Sequence, residues 1–182
     1  SNTPFRLYKQ NQHEGGISSP LIAHWPNGLK TKRGSITRQP AHLIDFMATF
    51  LELGNAKYPR QAGNRVIEPL EGKSLVPIFK NAERKGHEAL YFHFGTDRAL
   101  RQGKWKLVSA KKGKWELYDM DIDRTELIDL AEKFPTKVET MKGIWFDIAK
   151  NKERLNQNGL SPVKGVIKEL SFRKDTSNQL NN

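Results

Sequence analysis

Apolar residues in this chain fall into short clusters, and their spacing changes character about halfway along. Pro20–Trp25 (Pro-Leu-Ile-Ala-His-Trp) is a brief apolar run closed by the turn-forming Pro26-Asn27-Gly28. It predicts a buried strand. A basic loop, Lys30 to Arg38, follows. Pro40–Gly54 has helical periodicity, with proline suited to a first turn and glycine to the residue past the end. Leu43, Phe46, Met47, Phe50 and Leu51 share one stripe, the face expected to bury. Tyr58–Gly72, rich in Pro, Gly and Asn, reads as a loop before a helical turn near Leu75–Lys80.

Beyond that point the pattern is β-like. Ala89–Phe94, Arg98–Arg101, Trp105–Ser109 and Trp115–Asp119 are short β-prone stretches, with Gln102-Gly103 and Lys111-Lys112-Gly113 between them as hairpin turns. A small antiparallel meander is expected. Pro135–Lys150 returns to helical spacing, with Val138, Met141, Trp145 and Ile148 on one face. An isolated small sheet is marginal in water, so this helix is expected to cover one side of it. The chain past Asn151 is polar and expected to fray. The fold class is therefore α+β, divided into residues 1–80, 81–150 and a polar tail, 151–182.

Composition narrows the functional classes. No apolar run approaches the roughly 18 residues that span a bilayer, so no membrane partner is expected. No signal peptide is visible, but the first methionine is Met47, and a segment upstream is expected. With no cysteine there is no disulfide, thiolate metal site or Cys nucleophile. The formal charge of +11 favours polyanions. The surplus is spread along the chain, which suits a solvated surface better than a nucleic-acid stripe, and no nucleic-acid-binding module is present.

The segment Lys9-Gln-Asn-Gln-His13-Glu14-Gly15-Gly16-Ile17, followed by Pro20-Leu-Ile-Ala-His-Trp25-Pro26, resembles the signature of formylglycine-dependent sulfatases of the arylsulfatase family. There, as here, a lysine stands five residues before Glu-Gly-Gly. Ala41-His-Leu-Ile-Asp45-Phe-Met-Ala-Thr49-Phe-Leu is similar to the family's next helix, with Ala48 where proline is common. Leu70-Glu-Gly-Lys-Ser-Leu75 resembles its Asp-Gly-Lys/Arg-Ser-Leu segment. Arg98-Ala-Leu-Arg-Gln-Gly-Lys-Trp-Lys-Leu-Val108 resembles its Arg-x-Arg-x-Gly-x-Trp-Lys-Leu hairpin. Trp115-Glu-Leu-Tyr-Asp119, with Asp123-Arg-Thr-Glu126 and Leu130-Ala131, resembles the run that follows, with Asp129 where asparagine is usual. The matches occur in the family's order.

This resemblance implies the C-terminal portion of a sulfatase. Residues 1–80 would be the last pieces of an alkaline-phosphatase-like α/β domain, and residues 81–150 the C-terminal sheet with its helix. The implied reaction is hydrolysis of a sulfate ester, on a sulfated carbohydrate or an aryl sulfate. The family's nucleophile motif, Cys/Ser-x-Pro-x-Arg, is absent. Its calcium ligands belong to an N-terminal portion, the implied partner, so no metal is expected in this chain and the chain alone is expected to be inactive. Lys9 is the implied catalytic residue, its ammonium contacting sulfate; a solvent-exposed lysine in a flexible segment is the competing reading.

His13 is a candidate substrate contact or a packing group. His93 and Arg98, bracketing Gly95-Thr96-Asp97, are candidate substrate-binding residues. His93 as a satisfied core histidine, and Arg98 as the partner of Asp97, are the competing readings. Glu14-Gly15-Gly16 reads as structural, its glycines permitting a backbone turn. Trp105, Trp115, Tyr118 and Trp145 read as core. Family habit places such enzymes in the periplasm or outside the cell. The alternative function is a stand-alone basic domain that binds polyanions or nucleic acid.

Overall fold

The computed structural model describes residues 2–153. Its elements are, in chain order, α1 (Glu14–Ile17), α2 (Asp45–Leu53), β1 (Gln61–Ala62), β2 (Arg65–Val66), α3 (Val76–Phe79), β3 (Leu90–Phe94), β4 (Asp97–Gln102), β5 (Trp105–Ser109), β6 (Glu116–Asp119) and α4 (Pro135–Glu153). They divide into two units. Among the described residues, one joins residues 2–18 to residues 91–153, and the other is Ser19–Leu90.

The first unit is built on the expected meander, in the order β3-β4-β5-β6. Antiparallel register sets Leu100 opposite Leu107 and Leu107 opposite Leu117. Because side chains alternate across a strand, these leucines share one face. Met141 and Trp145 of α4 cover it, and all five residues are fully buried. Each leucine so buried contributes about 1.5–3 kcal/mol, whereas an exposed ion pair contributes about 0–1 kcal/mol and a buried one is generally no more stabilising than well-packed apolar residues of similar volume. The helix-on-sheet layer is therefore the main source of this unit's stability.

On the opposite face Ala99 pairs with Val108, and Arg101 pairs with Lys106, which pairs with Tyr118. Phe92, Ala99, Val108, Tyr118 and Met120 form an apolar cluster there. The helix runs to Glu153, past the Asn151 at which the polar tail was placed. Its buried positions are Val138, Met141, Trp145 and Ala149, with Ile148 only half-buried. The fraying expected of the tail concerns residues that, from 154 onward, lie outside the described ones. Residues 2–18 associate with the sheet and not with the helix-bearing segment to which the sequence boundary at 80 assigns them.

The second unit departs further from expectation. Pro20–Trp25 is not a buried strand. It is irregular and exposed, with Ile22 at 87% relative accessibility, and no described strand pairs with it. Helix α2 begins at Asp45 rather than near Pro40 and buries its apolar stripe only in part: Leu43 (which precedes it), Met47 and Phe50 are exposed and Phe46 and Leu51 are half-buried, while Asp45 and Thr49 are buried. Hydrogen bonding is the reason. Asp45 Oδ1 accepts from the Lys73 amide (2.8 Å) and lies 2.6 Å from His87 Nε2. Its Oδ2 accepts from the His42 amide (2.8 Å) and from Arg84 Nη2 (3.0 Å). Thr49 Oγ1 donates to the Asp45 carbonyl (2.7 Å) and accepts from the Leu75 amide (2.9 Å). Tyr58–Gly72, read as a loop, contains the small hairpin β1–β2.

Candidate functional site

The N-terminal segment lies on the sheet face opposite α4 and is tied to it by charged side chains. Arg6 Nη1 donates to Glu116 Oε2 (3.1 Å), the Tyr118 hydroxyl (2.7 Å) and the Glu126 carbonyl (3.0 Å). Tyr118 donates to the same Glu116 oxygen at 2.6 Å, and His13 Nε2 lies 3.1 Å from it. Burial pushes the Glu116 carboxyl up. The hydrogen bonds from Tyr118 and His13, with the charge of Arg6, outweigh it and hold the group below the usual carboxylate range. Burial and the neighbouring Glu116 push the Tyr118 phenol far above its ordinary value. It stays a donor at any physiological pH.

A second cluster surrounds Glu14. The fully buried Lys106 places Nζ 2.9 Å from Glu14 Oε1 and 2.8 Å from Glu126 Oε1. Glu126 Oε2 accepts from the Glu14 amide (2.8 Å), and Arg124 Nη2 donates to Glu14 Oε2 (3.0 Å) and Ser18 Oγ (3.0 Å). Burial pushes the Glu14 carboxyl up, but Lys106 and then Arg124 prevail and hold it low. Burying a charge is tolerated only when it is paired, and here Lys106, Glu14 and Glu126 each face an opposite charge within 3.0 Å, while Arg124 Nε and Glu126 Oε1 have no hydrogen-bond partner among the described residues.

Gly15 and Gly16 are required by space, not by an unusual φ. Neither has a positive φ, which corrects the expectation of a glycine-specific turn. A Cβ on Gly15 would stand 2.3 Å from the Arg6 carbonyl oxygen and 2.2 Å from that of Leu7. One on Gly16 would stand 1.9 Å from the Asn11 oxygen and 2.8 Å from that of Tyr8. The loop carrying Lys9 is thus folded directly onto Gly15–Gly16, with the Gly15 amide donating to the Arg6 carbonyl at 2.9 Å. Leu7 and Gln10, flanking Lys9, take positive φ of 60° and 81°, a conformation that persists only where surroundings impose it. Lys9 itself is exposed.

The candidate site residues are divided between the two sheet faces. Lys9 and His13 belong to the segment just described, where His13 is 1% exposed and its Nδ1 has no hydrogen-bond partner among the described residues. His93 and Arg98 lie on the α4 side, brought together around Trp145. The His93 ring is 5.4 Å from that of Trp145, with Nδ1 2.6 Å from Glu153 Oε2. The Arg98 guanidinium lies 4.7 Å from the Trp115 ring and 5.7 Å from that of Trp145, and Nη2 donates to Ser109 Oγ (3.2 Å). Asp97 does not pair with Arg98; its Oδ1 accepts from the Lys111 amide (2.7 Å). Tyr118 and Trp145 are core, while Trp105 and Trp115 are half-buried.

Sequence reasoning did not single out Arg6, Lys106, Glu116, Arg124 or Glu126. The signal available was Lys106, a charged residue inside the otherwise apolar, β-prone run Trp105–Val108. Among the described residues no three His, Cys, Asp or Glu side chains are grouped to hold a metal. No described helix is long and apolar enough to cross a membrane.

Comparison with known proteins gives this geometry a context. Residues 5–154 match the family model described as N-sulphoglucosamine sulphohydrolase, C-terminal. Steryl-sulfatase of Mus musculus is 37% identical over 111 residues, covering 60% of this chain and 16% of that protein. A sulfatase of Formosa agariphila is 33% identical over 96 residues, covering 52% of this chain and 16% of its own length. N-acetylgalactosamine-6-sulfatase of Mus musculus is 31% identical over 106 residues, covering 58% and 19%. The crystal structure of Ps i-CgsB in complex with k-i-k-neocarrahexaose superimposes with a TM-score of 0.63 at 22% identity. It covers 98% of this chain and 38% of that one. The chain therefore has the α+β fold of the C-terminal part of sulfatases and spans less than a fifth of the curated relatives' length.

Proposed function

We propose that this chain, which belongs to the N-sulphoglucosamine sulphohydrolase C-terminal family of sulfatases, forms the substrate-facing end of an enzyme that hydrolyses sulfate esters. The observation that carries the proposal is the placement of Lys9. Its ammonium is exposed on a loop locked against Gly15–Gly16, five residues ahead of the buried Glu14. An exposed ammonium on a rigid loop offers a compact positive charge and three donors to a sulfate oxygen. Held in advance, it stabilises charge on the transferring group without reorganisation.

His13, buried against Glu116, holds the segment and does not touch substrate. His93 and Arg98 brace the β3–β4 turn from the helix side. The exposed Phe94, Gly95 and Thr96 at that turn are the surface that the group bearing the sulfate meets. The nucleophile, a formylglycine, and the calcium ion that polarises sulfate oxygens come from an N-terminal catalytic portion. Among the described residues no three His, Cys, Asp or Glu side chains are grouped to hold that ion. Met47 and Phe50, exposed on α2, and Leu43 just before it suit contact with that portion. The sulfated carbohydrates and aryl sulfates of the family are the substrate class, and export from the cytoplasm is the setting.

The test is an assay of p-nitrocatechol sulfate hydrolysis with calcium, using the 182-residue chain alone and then joined to an N-terminal sulfatase portion. Turnover only in the joined protein is expected. Turnover by the chain alone, surviving repurification, would contradict the proposal.

A further inference from the structure

Lys106 is fully buried, and nothing in the chemistry proposed above uses it. Its ammonium sits between Glu14 and Glu126, at 2.9 and 2.8 Å. Such an arrangement is a poor device for stability alone, since well-packed apolar residues of similar volume are generally as stable as a buried ion cluster. What the cluster supplies is direction. A carboxylate held by an ammonium, by Arg124 Nη2 at 3.0 Å, and through its own amide by Glu126 Oε2 at 2.8 Å has one orientation.

That orientation is passed on by contact. Glu14 opens the turn whose next two residues, Gly15 and Gly16, touch the carbonyls of Arg6, Leu7, Tyr8 and Asn11 so closely that no Cβ fits between them. Those carbonyls belong to the loop that presents Lys9. Asn11 closes it, donating from both its amide and its Nδ2 to the Tyr8 carbonyl, each at 3.1 Å. The line runs from strand β5 through Glu14 and the glycine pair to the loop, without a flexible side chain between the glycines and the Lys9 backbone.

We propose that Lys106 and Glu126 are positioning residues that set the place of the Lys9 ammonium by fixing Glu14 and, through it, the backbone of residues 6–11. The inference rests on the reading of Lys9 as the sulfate contact. It explains why Glu-Gly-Gly lies near the lysine, and why Trp105-Lys106-Leu107 and Asp123-Arg124-Thr125-Glu126 accompany it: residues of three distant segments meet at one carboxylate.

Two measurements test it. The chain has no cysteine, so Lys9→Cys and Glu139→Cys (an exposed α4 position) can be spin-labelled in the 182-residue chain. Pulsed dipolar spectroscopy should give one narrow distance distribution. Lys106→Met, or Glu126→Gln where the former folds poorly, should broaden it while the near-ultraviolet signal of the buried Trp145 persists. An unchanged distribution in both variants overturns the proposal.

In the complete protein, Lys106→Met should lower kcat/KM by about 10–100-fold, the scale of a misplacement near 1 Å. It should cost almost nothing further in a Lys9→Met background, because residues that act through one group are not additive. A full additional loss in that background means a merely structural role and overturns the inference. If Lys9→Met alone leaves kcat/KM unchanged, the reading of Lys9 as the sulfate contact fails, and the spin-label distances still decide whether Lys106 positions the loop.

Discussion

Asp45→Asn should destabilise the second unit far more than any apolar substitution on the exposed stripe of α2. The Asp45 carboxylate is fully buried and takes the Lys73 and His42 amides, Arg84 Nη2 and His87 Nε2 at 2.6–3.0 Å. Asparagine keeps the shape but removes the charge, leaving a guanidinium whose side chain is 3% exposed without its counter-ion. It also replaces one acceptor with a donor. Breaking a buried pair from one side costs about 3–5 kcal/mol, a large part of the ~5–15 kcal/mol that holds a domain folded. Phe50, 65% exposed, should tolerate serine within about 0.5 kcal/mol. Hydrogen exchange reports this locally: the Leu75 amide, bonded to Thr49 Oγ1, should lose protection in Asp45→Asn and keep it in Phe50→Ser. A larger loss in Phe50→Ser would show that α2 is held by its apolar stripe and that the polar anchoring described here is wrong.

Other outcomes follow from the same geometry. Gly16→Ala should displace the Lys9 loop, because the new Cβ would meet the Asn11 carbonyl at 1.9 Å. A loss of about 1–3 kcal/mol, the usual scale of overpacking, is expected in urea unfolding, and a neutral result would contradict the contact. Glu14, Asp45 and Glu116 all titrate below the usual carboxylate range, burial being outweighed in each by cations and hydrogen bonds. The unfolded chain therefore binds more protons in acid. Stability should be full above the ordinary carboxylate value of about 4 and decline as pH falls toward the depressed folded values; flat stability from pH 5 to 2.5 would refute this. The isolated chain should self-associate through its exposed apolar residues, Met47 and Phe50 among them, and Met47→Glu with Phe50→Glu should reduce this without loss of stability. Sedimentation velocity decides it, and unchanged association would place the contact elsewhere.

The sheet and its helix could be read from the chain because they are local and their periodicity is undisguised. Trp105–Ser109 is β-prone, Gln102-Gly103 supplies a turn, and Val138, Met141 and Trp145 recur at helical spacing. The second unit misled the same reasoning. Apolar spacing in Pro40–Gly54 marks a face that wants covering but not what covers it, and the described residues leave Leu43, Met47 and Phe50 of that face exposed. Pro20–Trp25 is similar: its composition suits a strand, but no described strand is available to pair with it.

At the site, the lysine and the Glu-Gly-Gly turn stood out, but their supports did not. Arg6, Lys106, Glu116 and Glu126 lie far apart in sequence and meet only because the meander turns one face toward residues 2–18. The glycines answer to close approach and not to an unusual φ, and the carbonyls they approach are placed by no local pattern. His93 and Arg98 look like site residues in the sequence because they flank a loop. Their partners, Trp145 and Glu153, come from a helix that no spacing connects to them.

The central claim is that Lys9 meets the sulfate, and the most direct measurement is kcat/KM for sulfate-ester hydrolysis in the complete protein with Lys9→Ala, Lys9→Arg and Lys32→Ala. Removing a preorganised charge from a transferring oxyanion costs about 2–4 kcal/mol, so Lys9→Ala should lose on the order of 10²-fold or more. Lys9→Arg should recover little, because a planar fork does not replace a compact ammonium. Lys32, exposed in the basic loop, should change little beyond salt dependence. Indistinguishable kinetics for Lys9→Ala and Lys32→Ala would contradict the assignment.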